Sequence, residues 1–274
     1  MKILSLVLSY ILPFLYLGVV YLYYRIYNGK QKNLITKTTP ILFILVLIHL
    51  TELVTRHLAL GTMPLSTMHD AFSFLAFSIL IVYTIIELTV SNRASGLFIL
   101  GFACVLEVLS SFNLSWEKET NALLANPFFA VHASMSIIGY TALSLSALYA
   151  FMYIYQNRNL KLKRIGTLSY GLPALTYLEK MSIRSVVIGI IMLGLGIMHG
   201  HFQANKVFGS YWPLDMKVVV TDMIWMFYFV GFILSQIMKW RGKWMAYLSL
   251  SGFIILMFIG VVVTLLGESF HRFY

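Results

Sequence analysis

The chain has 274 residues, 59% of them hydrophobic and 11% charged, with a mean hydropathy of +0.83. Such proportions exclude an ordinary soluble domain, in which about a quarter of residues are charged, and make the lipid bilayer the solvent of this chain. The formal net charge of +10 sits in short segments between apolar runs, so it reports membrane topology and not nucleic-acid binding.

A membrane-crossing helix needs about 20 apolar residues to traverse roughly 30 Å of hydrocarbon. Eight stretches supply that, near 3–24, 39–60, 70–90, 95–113, 127–155, 184–202, 216–238 and 245–267. The expected fold class is therefore all-α, a polytopic membrane helix bundle of about eight transmembrane helices. The segments between them are too short for a separate soluble domain, so residues 1–274 read as a single integral membrane domain. The first apolar run is too long for a signal peptide and lacks a small-residue cleavage site before the basic stretch, which makes it helix one.

Assigning Arg25, Lys30, Lys32 and Lys37 to the first loop, Arg93 to the third, six basic residues between Arg158 and Arg184 to the fifth, and Lys239, Arg241 and Lys243 to the seventh puts 14 of the 20 Lys and Arg on one side. By the positive-inside rule that side is cytoplasmic and both termini face outward.

In the second stretch His49, Glu52 and Arg56 fall three and four apart, on one helical face. Charges in hydrocarbon are costly, so Glu52 and Arg56 are expected to face the bundle interior and pair, either as a structural ion pair or as an anchor for a ligand. The fourth stretch carries Cys104, the single cysteine. A lone thiol excludes an internal disulfide, a CxxC pair and a thiolate zinc cluster, and reads as a small core residue.

Most other polar residues gather at the outer helix ends: His57, His69, His132, His199, His201 and His271, with Glu107, Asp215, Asp222 and Glu268. Imidazole is the commonest metal ligand, and an apolar bundle opening to an outer pocket suits a flat hydrophobic complex such as haem; quinone or ion sites fit the same residues. The sixth loop, residues 201–215, concentrates Phe202, Phe208, Tyr211 and Trp212 beside Asn205, Lys206 and Asp215. Such rings stack on a macrocycle, or lie on the bilayer surface as an amphipathic segment.

Four stretches together resemble the cytochrome c assembly family of haem-handling membrane proteins, across roughly 56–274. Arg56-His-Leu-Ala-Leu-Gly-Thr-Met-Pro-Leu-Ser66, followed by Phe72-Ser-Phe74, is similar to the R-x4-G-x2-PLS segment of that family. His132-Ala-Ser-Met-Ser-Ile-Ile-Gly-Tyr140 resembles its H-x-S-x4-Y helix start. Leu172-Pro-Ala-Leu-Thr-Tyr-Leu-Glu-Lys-Met-Ser-Ile-Arg184, with Gly189, Gly194 and Gly196 beyond it, resembles the LPSLE segment that leads into a glycine-rich helix. Gly209-Ser-Tyr-Trp-Pro-Leu-Asp-Met-Lys217 resembles the tryptophan-rich loop WGSYWSWDPKE.

The resemblance implies a non-covalent haem b held under the tryptophan-rich loop, with two flanking outer histidines as axial ligands of the iron. These fall on His132 and on His271, which lies in a segment similar to the terminal GLHSY. It also implies cofactor contacts from Trp212, Tyr211, Asp215 and Phe208, and Arg56, Lys206 or Arg272 are candidates by charge and position to neutralise propionates. Leu214 stands where the family loop has a tryptophan, Met216 where it has proline and Val218 where it has an acid. The histidine that haem-conducting members carry in the following helix falls near Ile233, which argues against haem conduction through the membrane.

The function this implies is presentation of haem at the outer face for attachment to apocytochrome c. The chain would be at most one half of a haem lyase, working with a CcsB-type membrane partner in a bacterial inner or plasma membrane. Two alternatives stand beside it: a HemX-like accessory or regulatory protein, and a transporter or respiratory-complex subunit using the His49, Glu52, Arg56 stripe.

Overall fold

The structure is a computed structural model that describes residues 1–29, 34–61, 67–89, 93–116, 127–163, 171–212 and 215–266; the side chains of Pro127, Val207, Phe208, Lys217 and residues 259–266 are not described. Among the described residues there are eight helices and no strand: α1 (Lys2–Tyr27), α2 (Ile35–Leu60), α3 (Met68–Thr89), α4 (Ser95–Phe112), α5 (Pro127–Lys161), α6 (Leu175–Phe208), α7 (Met216–Ile237) and α8 (Lys243–Leu266). By length and composition, α1 to α7 each suffice to cross a membrane, whereas the described apolar part of α8, Lys243–Phe258, is shorter. The all-α, multi-pass class expected from hydropathy is what the chain adopts. The sixth helix begins at Leu175, ahead of the apolar run near 184, because the intervening Glu179 and Lys180 keep helical propensity while lying outside the apolar stretch.

The helices form two compact units, α1–α4 and α5–α8. The first turns its polar residues inward. Ser5 and Ser9 of α1, His49, Glu52 and Arg56 of α2, His69 and Asp70 of α3, and Glu107 of α4 are all fully buried, while Ile3, Phe14, Ile44, Leu47 and Leu88 point out. That inversion is what lipid requires: apolar side chains cost nothing outside, and each polar group must find its partner inside.

Pro13 shows the same accounting at backbone level. A proline inside α1 has no N–H to give to the carbonyl of Ser9, and the Ser111 hydroxyl of α4 donates to that carbonyl at 3.2 Å instead. At the other end of the unit, Glu87 accepts hydrogen bonds from Tyr23, Thr38 (2.6 Å) and Thr39 (2.9 Å) and pairs with Arg93 at 3.3 Å.

In the second unit, α5 and α6 pair most extensively, and glycines set how closely. A methyl on Gly139 would stand 2.8 Å from Leu193, one on Gly189 2.6 Å from Leu143, and one on Gly196 2.7 Å from Ser136 Oγ. Small residues let backbones approach in lipid, where dispersion and not water exclusion drives helix association. α7 locks on through Trp225, which fills the notch at Gly194 and donates its indole N–H to the Ile190 carbonyl at 2.8 Å. A chain of hydroxyls, Ser146, Ser182 and Ser249, joins α5, α6 and α8 at 3.1 and 3.2 Å.

Candidate functional site

Some of the residues singled out by sequence, His132, His199, His201, Tyr211 and Trp212, meet along one stretch of α6, Gly196 to His201. His132 lies early in α5, which opens with Pro127 in the first helical position, where the missing N–H costs nothing. Its ring rests against Gly200: a Cβ there would sit 2.8 Å from Cε1 and 2.9 Å from Nδ1. Nδ1 lies 2.8 Å from the Gly196 carbonyl oxygen. A carbonyl only accepts, so Nδ1 carries the hydrogen. A backbone carbonyl that fixes the tautomer and orients the ring in this way is the usual support of a metal-ligating histidine.

One position on, His201 faces the other way. Its Nδ1 lies 2.6 Å from the Tyr211 carbonyl and its Nε2 3.1 Å from an Asp222 carboxylate oxygen, an arrangement that a doubly protonated imidazolium satisfies. This histidine therefore ties the 209–212 turn and α7 to α6. Trp212 leans on its ring at 5.3 Å, and Tyr211 meets Phe202 edge-on at 6.0 Å. The turn itself follows from Gly209, whose φ of +69° ends α6 with its N–H on the Asn205 carbonyl.

Trp212 is 70% exposed and Tyr211 46%, so the turn offers aromatic faces outward and does not spend them in a core. Asp215 is buried immediately before α7, and its carbonyl receives the Val219 N–H at 3.0 Å. His199 donates Nε2–H to the Phe128 carbonyl at 3.1 Å and stacks on that ring, over which Lys206 also sits at 5.3 Å. Oriented imidazoles, exposed aromatic faces and a cation within one helical unit are the kinds of group that suit a flat aromatic ligand carrying a metal and anionic groups.

His132, Tyr211, Trp212 and Asp215 all belong to the α5–α8 unit. His271 and the Phe208 side chain lie outside the described residues. Arg56 belongs to the α1–α4 unit, and the expected pairing with Glu52 is replaced: its guanidinium bonds Asp70 of α3, with the Ser115 carbonyl at 2.9 Å, Thr67 Oγ1 at 3.4 Å and the Trp116 ring at 5.1 Å. The reason is the capping geometry of α3. Thr67 N–H donates to Asp70 Oδ2 at 3.0 Å and Asp70 N–H donates to Thr67 Oγ1 at 3.2 Å, a reciprocal cap that aims the other carboxylate oxygen at Arg56. Sequence reading missed Asp70 in this role, although Thr67-x-x-Asp70 before an apolar run is a cap signature. It also missed Gly200, which seats His132, and placed Asp222 at an outer helix end without its partner His201; both are contacts between helices.

Comparison with known proteins agrees with the four motifs. The family model described as "Cytochrome C assembly protein" matches residues 6–271. The chain is 26% identical to a cytochrome c biogenesis protein CcsA of Microcystis aeruginosa, covering 80% of this chain and 81% of that one. It is 25% identical to the proteins of that name from Pyropia yezoensis, over 87% and 88% of the two chains, and from Chlorella vulgaris, over 94% and 92%.

Proposed function

The chain belongs to the cytochrome c assembly protein family, and on that premise we propose that it is a haem-handling protein of cytochrome c biogenesis, which holds haem b non-covalently at the outer membrane face and presents it to apocytochrome c. The observation that carries this reading is His132: a partly buried imidazole oriented by a backbone carbonyl on Nδ1, in the same unit as the exposed Tyr211 and Trp212. His132 and His271 would hold the haem iron; Tyr211, Trp212, Phe208 and Asp215 would form the loop against the macrocycle, and Lys206 would neutralise a propionate. Bound haem would supply the vinyl groups to which the apocytochrome thiols add. The chain has a single cysteine and prepares no thiols of its own, so a CcsB-type partner completes the system.

Charge counting supports an outward orientation of this site in the plasma membrane of a bacterium. Relatives carrying the CcsA name occur in a cyanobacterium and in algae, and in a plastid the same face would be lumenal. The loop substitutions Leu214, Met216 and Val218 favour a second reading, a HemX-like accessory protein that binds haem without delivering it.

The deciding measurement is the absorption spectrum of detergent-purified protein, oxidised and reduced, beside the His132→Ala/His271→Ala variant. The expected result is a Soret band with split reduced bands in the parent and none in the variant. A parent that takes up no haem even when haem is added overturns the axial-ligand assignment. Deletion in the host then separates delivery, which leaves c-type cytochromes unmatured, from an accessory role, which changes haem levels alone.

A further inference from the structure

The α1–α4 unit buries four ionisable side chains that take no part in the function just described. His49 and Glu52 of α2, His69 of α3 and Glu107 of α4 are each 0% exposed. Glu52 Oε1 lies 2.9 Å from Ser9 Oγ and 3.3 Å from Ser5 Oγ, but Ser9 has one hydrogen to divide between this oxygen and the Ser5 carbonyl, also at 2.9 Å, and Glu52 Oε2 is buried without a hydrogen-bond partner.

The protons of His69 follow from its partners. Its Nδ1 lies 3.0 Å from the Ser110 carbonyl oxygen, which only accepts, and 2.8 Å from Ser110 Oγ, whose own hydrogen is given to the His69 carbonyl at 2.9 Å. Nδ1 is therefore protonated. Nε2 then faces Glu52 Oε1 at 3.9 Å with no hydrogen-bond partner. A bare lone pair opposed to a carboxylate in a fully buried site is repulsive and unsatisfied, and a proton held between Nε2 and the Glu52 carboxylate resolves both faults.

A second dyad lies deeper. His49 is held by the Tyr16 hydroxyl on Nδ1 and by Ser73 Oγ on Nε2, each at 2.9 Å, and its Nε2 is 3.9 Å from Glu107 Oε2. Neither Glu107 oxygen has a hydrogen-bond partner. The neighbouring charges do not compensate it. Arg56 and Asp70 are spent on each other, and on α4 itself the nearest ionisable group is the Cys104 thiol, buried one turn away. Nor do three metal-ligating side chains converge anywhere among the described residues, which favours the proton over a metal cation.

We propose that the α1–α4 unit holds an internal proton-binding site in which the dyads His69–Glu52 and His49–Glu107 each keep one exchangeable proton. Its two ends differ. Toward the end where α2 stops and α3 starts, the cluster continues into the buried hydroxyls of Ser5, Ser9 and Ser110. In the other direction buried Val19, Leu42, Leu45, Leu80 and Leu100 intervene before the Glu87 cluster is reached. Along α2 alone, the 11 residues from His49 to Thr38 amount to about 16 Å at 1.5 Å per residue.

The test is nitrogen NMR of the full-length, histidine-labelled protein in lipid at neutral pH, with elemental analysis of the same sample. The expected spectrum contains an imidazolium signal that disappears in His69→Gln and reverts to a neutral Nδ1–H imidazole in Glu52→Gln; Asp222→Asn identifies and removes the separate signal of His201. The proton of the second dyad registers as a protonated-carboxyl infrared band lost in Glu107→Gln, or as a second imidazolium lost in His49→Gln. A neutral His69 with a bare Nε2 in the parent overturns the proposal, and so does the absence of both second-dyad signals. A metal-shifted Nε2 with stoichiometric metal in the sample also overturns it, in favour of a cation site. The parent and Glu52→Gln spectra decide the matter even if His69→Gln fails to fold.

Discussion

Replacing Asp70 with Asn leaves Arg56 fully buried with its charge unmatched, since the Ser115 carbonyl and Thr67 hydroxyl supply only dipoles. Removing one member of a buried pair costs about 3–5 kcal/mol, and the amide oxygen retains most of the α3 cap, itself worth about 1 kcal/mol. Arg56→Met is expected to cost a similar amount, because the buried Asp70 carboxylate loses the guanidinium that balances its charge while the Thr67 N–H on Oδ2 supplies only a dipole. In Arg56→Met/Asp70→Asn no charge is left behind, so the double variant should lose about 1–2 kcal/mol, far less than the sum of the two singles. Unfolding of the four proteins by denaturing detergent in mixed micelles gives the double-mutant cycle. A double variant as unstable as the two singles added together would refute the argument, since it would mean that the guanidinium and carboxylate are not each other's principal support.

Three further outcomes follow from the α5–α8 unit and the α1–α4 core. Gly200→Ala should displace the His132 ring, whose Cε1 would lie 2.8 Å from the new methyl, and weaken or abolish the haem spectrum while costing about 1–3 kcal/mol of stability; an unchanged spectrum would show that the ring is not seated there. Trp225→Phe deletes the bond to the Ile190 carbonyl at 2.8 Å and should cost about 1 kcal/mol, read as a lower unfolding midpoint in detergent. Glu87→Leu strips the acceptor shared by Tyr23, Thr38 and Thr39 and leaves Arg93 unpaired by it, so it should destabilise by about 3–5 kcal/mol without altering bound haem.

Hydropathy and charge alone carry the helical class, because each crossing needs an unbroken apolar run and the bilayer forbids alternatives. His132 and the 209–217 loop were legible through local motifs. Arg56 was legible as buried but not as the partner of Asp70, since helical spacing ranks Glu52 first and the winning contact depends on where the α3 cap points its carboxylate. His69 and Glu107 read as end-of-helix residues, whereas the packing of α1, α3 and α4 draws them into one cluster with His49. Contacts made across helices have no signature in the spacing along any one of them.

The seam between α5 and α6 has a mechanical consequence. These helices contain 35 and 34 residues, about 50 Å at 1.5 Å each, against roughly 30 Å of hydrocarbon. Backbones held in contact at Gly139, Gly189, Gly196 and Gly200 have little room to slide or splay, so the pair behaves as a stiff lever with arms projecting beyond the lipid. A tilt imposed at the Lys161 end of α5 is therefore delivered to His132 near the opposite end.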